Sequence, residues 1–287
     1  MDIFQGGFLG LIQGLGEFFP VSSSGHLLLA RFFLGIQGTT SQAQSAYKVL
    51  DILLHVGTLI PLLIVFRKEW LDMICHPVKN KSLLYLILAS VPTLFIYLAA
   101  KKLFPDVSGF SVFDSGWFLG ASFLITALFL LICDFLSFRR NTSGNKIGPM
   151  QAIVMGIFQC GAMLPGVSRS GSTIFGGILS GLDRKKAASF SFMMSAPAIL
   201  GSLILESKDA LESGEFAHIQ LLPTIVGIIV AAVVGYFALR IMLKIIATVP
   251  LSIFAIYLAI IGIVFLSLQL SGSSLVPAFN PSSASVN

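Results

Sequence analysis

A chain of 287 residues that is 55% hydrophobic and only 11% charged, with a mean hydropathy of +0.91, cannot cover a water-facing surface. Soluble domains carry about a quarter charged residues, so composition excludes a soluble enzyme and predicts an all-α polytopic integral membrane protein. The net charge of +5 is no nucleic-acid footprint either, because the basic residues sit in short loops between apolar runs.

In chain order, residues 2–35 are apolar but interrupted by the polar stretch Pro-Val-Ser-Ser-Ser-Gly-His at 20–26. The first basic residue is Arg31, which leaves no positively charged leader, and no signal peptide is expected. Six runs follow that match the ~30 Å hydrocarbon core as helices: 50–66, 82–100, 115–136, 187–205, 222–243 and 250–270. Between the third and fourth lies a second broken apolar segment, 148–183. Residues 271–287, rich in Ser, Asn and Pro, read as a disordered tail. The organisation predicted is one membrane domain over 1–270. The three cysteines, Cys75, Cys133 and Cys160, have no redox or metal spacing and read as small buried hydrophobes.

Charge orients the spans. Arg67, Lys68, Lys79 and Lys81 mark the loop 67–81, and Arg139, Arg140 and Lys146 mark 137–149. Arg184, Lys185, Lys186, Arg240 and Lys244 mark two more ends, and the positive-inside rule puts all four in the cytoplasm. The loops 101–114 and 206–221 then fall outside. Six spans alternate under this scheme, which gives the segments 2–35 and 148–183 no net crossing. Each is therefore expected to be a re-entrant helical hairpin, the first from outside and the second from inside.

These two segments repeat one another. At an offset of 146, Gly10 meets Gly156, Gln13 meets Gln159, and Ser22, Ser24 and Gly25 meet Ser168, Ser170 and Gly171. The repeats are expected to cover about 1–136 and 148–270. Repeats that insert from opposite faces place broken helices tip to tip near the midplane, where they build a polar site.

The first tip offers Glu17, Ser22, Ser23, Ser24, Gly25 and His26, and the second Ser168, Arg169, Ser170, Gly171, Ser172 and Thr173. Ser-rich helix starts present free N–H groups, hydroxyls and a positive dipole end, which together suit phosphate. Arg169 adds a planar fork of donors. Glu17 is an ionisable group at membrane depth, a metal ligand or general base in functional terms and a structural partner of Arg169 otherwise. Gln13 precedes it by one helical turn and shares its face. His26 shares a helical face with Ser22 and Ser23, where an imidazole activates a hydroxyl or water. Asp51 and His55, one turn apart, read as supporting residues that orient His26 or the tips, or else as an interfacial polar face. The same holds for Lys48. There is no Walker loop, GxSxG elbow or HExxH motif, which argues against a nucleotide-driven pump.

Q-G-L-G-E-F-F-P-V-S-S-S-G-H at 13–26 and P-G-V-S-R-S-G-S-T at 165–173 resemble the motifs of the BacA-type undecaprenyl-diphosphatases of bacteria, and D-x-x-x-H-x-G at 51–57 resembles a further family segment. The resemblance implies catalytic roles for Glu17, Ser22, Ser23, His26 and Arg169, with Ser168 beside them. It also implies a divalent cation, Mg²⁺ or Ca²⁺, near Glu17 and Gln13. Gln13 stands where many members have glutamate, and Ser24 where many have threonine. The expected reaction releases phosphate from undecaprenyl diphosphate, recycling the lipid carrier of peptidoglycan synthesis and conferring bacitracin resistance. The expected mechanism has Ser23 as nucleophile with Ser22 in support and His26 as base, or direct attack by water. The expected setting is the bacterial inner membrane, with the site opening to the outer face and with room for a homodimer. The competing reading is a secondary transporter or flippase of an anionic polyprenyl lipid.

Overall fold

The computed structural model describes residues 1–36, 41–103, 118–139, 146–212 and 219–271. The tail from 272, the side chain of Lys48 and most of the loop 101–114 lie outside the described residues. Eleven helices and no strand occur among the described residues: α1 Ile3–Phe18, α2 Ser23–Phe33, α3 Ser41–Val65, α4 Arg67–Cys75, α5 Ser82–Leu103, α6 Leu119–Arg139, α7 Pro149–Gly161, α8 Arg169–Leu179, α9 Arg184–Glu212, α10 Leu221–Ile245 and α11 Ser252–Leu270. Helices close their backbone hydrogen bonds internally, as a lipid-facing chain must.

Five of the six apolar runs are single helices long and apolar enough to cross a membrane, on α5, α6, α9, α10 and α11. The sixth, on α3, continues into α4 through a 75° bend at Phe66. The stretch 67–75, expected as loop, is thus helical. Charges at Arg67, Lys68 and Glu69 stop it running on through the apolar layer, while Met73 turns inward and is buried. Helix α9 likewise runs on to Glu212, into the expected loop 206–221. The protein is therefore an all-helical polytopic membrane protein. By contrast, α1, α2, α7 and α8 have 16, 11, 13 and 11 residues. At ~1.5 Å per residue each falls short of a ~30 Å core.

The offset of 146 reappears in local hydrogen bonding. Gln5 accepts the N–H of Asp2 at the start of α1, and Gln151 accepts the N–H of Gly148 at the start of α7. Ser22 Oγ accepts the N–H of Gly25 at the start of α2, and Ser168 Oγ that of Gly171 at the start of α8. Gly35 and Gly181, both at positive φ (63° and 95°), terminate these helices with N–H bonds to Phe32 and Ile178. A left-handed glycine just past the last turn is a common helix stop.

Close backbone approach builds the bundle, since lipid gives no hydrophobic drive for helices to associate and small residues let backbones touch. Gly6, Gly10 and Gly14 form a stripe on α1 that lies against Pro223, Gly227 and Ala231 of α10. A Cβ at Gly10 would overlap the carbonyl of Gly227. Gly156 of α7 meets Ala89 of α5 in the same way, and Gly120 of α6 and Gly262 of α11 approach each other's carbonyls. At one end Asp134 of α6 accepts from Arg184 (2.7 Å) and from the N–H groups of Leu251 (2.9 Å) and Ser252 (2.7 Å), tying α6, α9 and the start of α11 together. Of the cysteines only Cys133 is fully buried; Cys75, on α4 beyond the bend, is exposed, and Cys160 is intermediate.

The glycine stripe gives a paired test on one helix. Gly10→Ala is expected to cost about 1–3 kcal/mol through forced backbone displacement. Gly7→Ala, whose Cβ would meet only Val226 at an ordinary 3.6 Å, is expected to be neutral or to gain up to about 1 kcal/mol from helix propensity. Thermal unfolding of the two purified variants in one detergent checks both signs.

Candidate active site

The tips are the turns Phe19–Ser22 between α1 and α2, and Ala162–Ser168 between α7 and α8. They touch. Ser170 Oγ donates to the carbonyl of Phe19 (3.3 Å), and Gly25 packs on Gly166, where a Cβ would come within 2.9 Å of the partner Cα. Ser22 itself adopts φ 70°, ψ 93°, a left-handed conformation unusual for a residue with a side chain. Such strain persists only where the surroundings over-determine it. Here the carbonyl of Ser22 accepts from both the N–H (3.2 Å) and the ring Nδ1–H (2.8 Å) of His26. The second tip has its left-handed residue at Gly166 (φ 90°) and is held by Thr126, whose hydroxyl accepts from the N–H of Ser168 (3.0 Å).

A cavity of about 200 Å³ opens between the tips. Glu17, Ser22, Ser23 and Ser24 line it from one side and Ser168, Arg169 and Ser170 from the other, with His55, Ala198 and Ser202 completing the wall. This is smaller than the ~300–1,000 Å³ of drug-sized pockets. It suits a compact headgroup and has no room for a long chain. Because α2 and α8 both begin at its edge, the N–H groups of Ser23, Ser24, Arg169 and Ser170 lack intrahelical acceptors there.

Glu17 is the electrostatic centre and only 5% exposed. One carboxylate oxygen pairs with Arg169. The other accepts from Gln13 Nε2 (2.9 Å) and Ser23 Oγ (3.3 Å), and lies 3.6 Å from His55 Nε2. The far side of the Arg169 guanidinium donates to the carbonyl of Ser191 (3.1 Å) and to Ser195 Oγ, both on α9. Opposite charges are thus paired in a medium where an isolated one is costly.

Two placements differ from expectation. His26 is not among the residues lining the cavity, and among the described residues it makes no hydrogen bond to a serine hydroxyl. Its Nδ1 is committed to the Ser22 carbonyl and its Nε2 bonds Tyr257 (2.9 Å), so the ring is drawn across to α11, where it stacks on Tyr257. The imidazole in the cavity is that of His55, expected only in a supporting role. Its Nδ1–H donates to the Asp51 carbonyl one turn back (2.7 Å), which turns Nε2 toward Glu17. Asp51 orients His55 through its backbone and pairs by its side chain with Arg31 (2.7 Å); neither contacts His26. Among the expected phosphate-binding residues, Ser24, Ser168, Arg169 and Ser170 line the cavity, whereas Gly25, Gly171, Ser172 and Thr173 stand behind it. Gly25 and Gly171 sit at the capped N–H positions, and Thr173 joins α8 to α9 through Ser191 (2.6 Å). Ser191, Ser195, Ser202, Thr126 and Tyr257 were not legible: single hydroxyls inside apolar spans carry no motif.

For a divalent cation the donor set is one carboxylate, the serine hydroxyls and the amide oxygen of Gln13, which is buried without a hydrogen-bond partner beside Glu17. No cluster of three acidic, His or Cys side chains occurs among the described residues, so an all-protein cage is not built. The set fits the mode in which Mg²⁺ takes one or two carboxylates, waters and the substrate's own phosphates.

A family model described as "Bacitracin resistance protein BacA" matches residues 7–264. An undecaprenyl-diphosphatase of Carboxydothermus hydrogenoformans is 42% identical over 95% of this chain and 99% of its own length. One from Halothermothrix orenii is 40% identical over 93% and 98%, and undecaprenyl-diphosphatase 4 of Bacillus thuringiensis subsp. konkukian 37% over 94% and 98%.

The ion pair makes a prediction about stability. Arg169→Met leaves Glu17 buried and unpaired and is expected to cost roughly 3–5 kcal/mol. Adding Glu17→Gln removes the orphaned charge and should restore most of that loss. Thermal unfolding of wild type, both single variants and the double variant measures the coupling.

Proposed function

The chain belongs to the bacitracin resistance protein BacA family, and we propose from that membership and from its cavity that it hydrolyses undecaprenyl diphosphate to undecaprenyl phosphate and inorganic phosphate. It is a membrane phosphatase whose product returns the lipid carrier to cell-wall synthesis and whose activity confers bacitracin resistance. The observation that carries the reading is the convergence of Glu17, Ser23 and Arg169 on one cavity sized for a phosphate headgroup.

The architecture that supports it is an inverted repeat, about 1–136 and 148–270, in which α1–α2 and α7–α8 are re-entrant hairpins from opposite faces. Their shared hydrogen-bond pattern at an offset of 146, and their short length, favour this. The prenyl tail stays in the lipid, and the site lies in the bacterial inner membrane and opens to the outer face.

In the proposed reaction the terminal phosphate enters between the tips. Its oxygens take over Arg169 and the helix-start N–H groups of Ser23, Ser24, Arg169 and Ser170. Phosphoryl transfer needs mostly such positioning and charge stabilisation. Displacing Glu17 from Arg169 leaves the carboxylate as the base nearest to Ser23. Ser23 Oγ forms a bond to the terminal phosphorus while the bond from phosphorus to the bridging oxygen breaks. The serine proton passes to Glu17, and undecaprenyl phosphate leaves. His55, 3.6 Å from Glu17, relays that proton to solvent and returns Glu17 to the carboxylate. Water then attacks the phosphoserine and gives a proton to Glu17, the bond from phosphorus to the serine oxygen breaks, and Glu17 passes that proton to the serine oxygen as inorganic phosphate departs. A divalent cation, Mg²⁺ or Ca²⁺, would be held by Glu17 with Gln13 and would supply charge neutralisation. The buried chemical set of carboxylate, imidazole, serine and arginine exceeds what a carrier of an anionic lipid needs.

The test is phosphate release from a short-chain prenyl diphosphate by detergent-purified protein. Arg169→Ala and Ser23→Ala should each lose at least ~10²-fold in kcat, and a chelator should stop turnover. Substantial activity in Ser23→Ala would favour direct attack by water. His55→Ala should slow turnover more than Tyr257→Phe, which removes the hydroxyl bonded to His26. No release by the wild type, with uptake into sealed vesicles instead, would overturn the phosphatase reading.

A further inference from the structure

A second polar cavity, of about 630 Å³, lies at the other end of α5 and α7. Lys79, Lys81 and Lys146 line it, together with Ser82 and Tyr85 at the start of α5. It joins two segments far apart in sequence, 72–85 and 146–147, that positive-inside reasoning assigns to the same face. The acid in its wall, Asp72, is already engaged by His76 Nδ1 (3.1 Å) and Asn80 Nδ2 (2.6 Å). None of the three lysines forms an ion pair among the described residues, so the cavity has uncompensated positive charge. The start of α5 adds the positive end of a 22-residue helix.

The neighbouring surface exposes apolar side chains among charged ones. Helix α4 leaves α3 at 75°, and Leu71, Ile74 and Val78 beside the cavity are 62%, 66% and 85% exposed. A short helix turned out of the spanning direction, with apolar side chains outward and lysines at its end, has the character of a segment lying in the lipid interface.

We propose that this cavity binds a phosphate-bearing anion, and that its source is the headgroup of an anionic phospholipid in the leaflet on the protein's basic face. The lysines and the Ser82 and Tyr85 hydroxyls take the phosphate oxygens, while Leu71 and Ile74 of α4 and Val78 just beyond it meet the acyl chains. The site is separate from the cavity between the tips and shares no lining residue with it. It anchors α4 and the starts of α5 and α7 to the membrane surface. Free inorganic phosphate has the same oxygen chemistry but makes no use of Leu71, Ile74 or Val78.

Native mass spectrometry of full-length protein extracted from vesicles of phosphatidylglycerol mixed with phosphatidylcholine tests this. Wild type should retain phosphatidylglycerol preferentially. The triple variant Lys79→Ala/Lys81→Ala/Lys146→Ala should lose that preference, roughly five-fold for each lysine, the equivalent of ~1 kcal/mol apiece. The corresponding triple Lys→Arg variant should keep it, which separates lost charge from lost fold. Equal retention of both lipids by wild type, or unchanged retention in the alanine variant, overturns the proposal. In a second arm, inorganic phosphate is titrated calorimetrically into lipid-free protein in detergent. Lysine-dependent phosphate binding in the absence of any lipid preference overturns the lipid source.

Discussion

The buried pair of Glu17 and Arg169 is the interaction on which the rest of the structure depends. Neither charge is tolerable alone in an apolar bundle. Together, with Gln13 on the carboxylate and Ser191 and Ser195 on the guanidinium, they satisfy each other's donors and acceptors. A buried pair of this kind adds little net stability. Its value lies in specificity: α1, α8 and α9 must meet at one point, because any other arrangement strands a charge. In the proposed reaction the same pair is the resting form of the site: the diphosphate takes Arg169 from Glu17, which frees the carboxylate where Ser23 already donates to it.

Packing makes that meeting geometrically available. The glycines of α1 let its backbone lie directly on α10, Gly156 does the same for α7 on α5, and Gly25 and Gly166 let the two turns pass in contact. Short helices that end in the core would leave orphan backbone groups. The side-chain caps of Ser22 and Ser168 satisfy one N–H each, and those left over face the cavity, where an anion can use them. In the proposed reading, structural economy and phosphate recognition draw on the same groups.

Much of this was legible in the sequence because lipid imposes simple rules. Apolar runs gave the spans to within a few residues, and the offset of 146, read from Gln13, Ser22, Ser24 and Gly25, reappears in the Ser22 and Ser168 caps and also in the Gln5 and Gln151 caps and the Gly35 and Gly181 stops, which no residue match had indicated. Glu17, Ser23 and Arg169 were identifiable as polar groups at membrane depth. What failed was rotation about helix axes. His26 and Ser22 do share a helical face, but the left-handed turn at Ser22 points its carbonyl at the imidazole, and Tyr257 captures the other nitrogen. His55 sits on a separate helix whose approach to Glu17 depends on how α3 packs on α1, which spacing along one chain cannot give. The hydroxyls of Ser195 and Ser202 were hidden for a related reason: serines in spans are common, and only tertiary packing distinguishes those that reach the site. The bend at Phe66 follows a switch from apolar to charged residues that a loop would show equally.

The meeting of the two tips inside the bilayer is tested most directly by short thiol cross-linking of Phe19→Cys with Ser170→Cys. The background is a chain with Cys75, Cys133 and Cys160 replaced, and the reaction is run in native membranes. The Ser170 hydroxyl reaches the Phe19 carbonyl at 3.3 Å, so the pair should link efficiently within one chain. Efficient modification of both cysteines from opposite membrane surfaces, without any intramolecular link, would contradict the account.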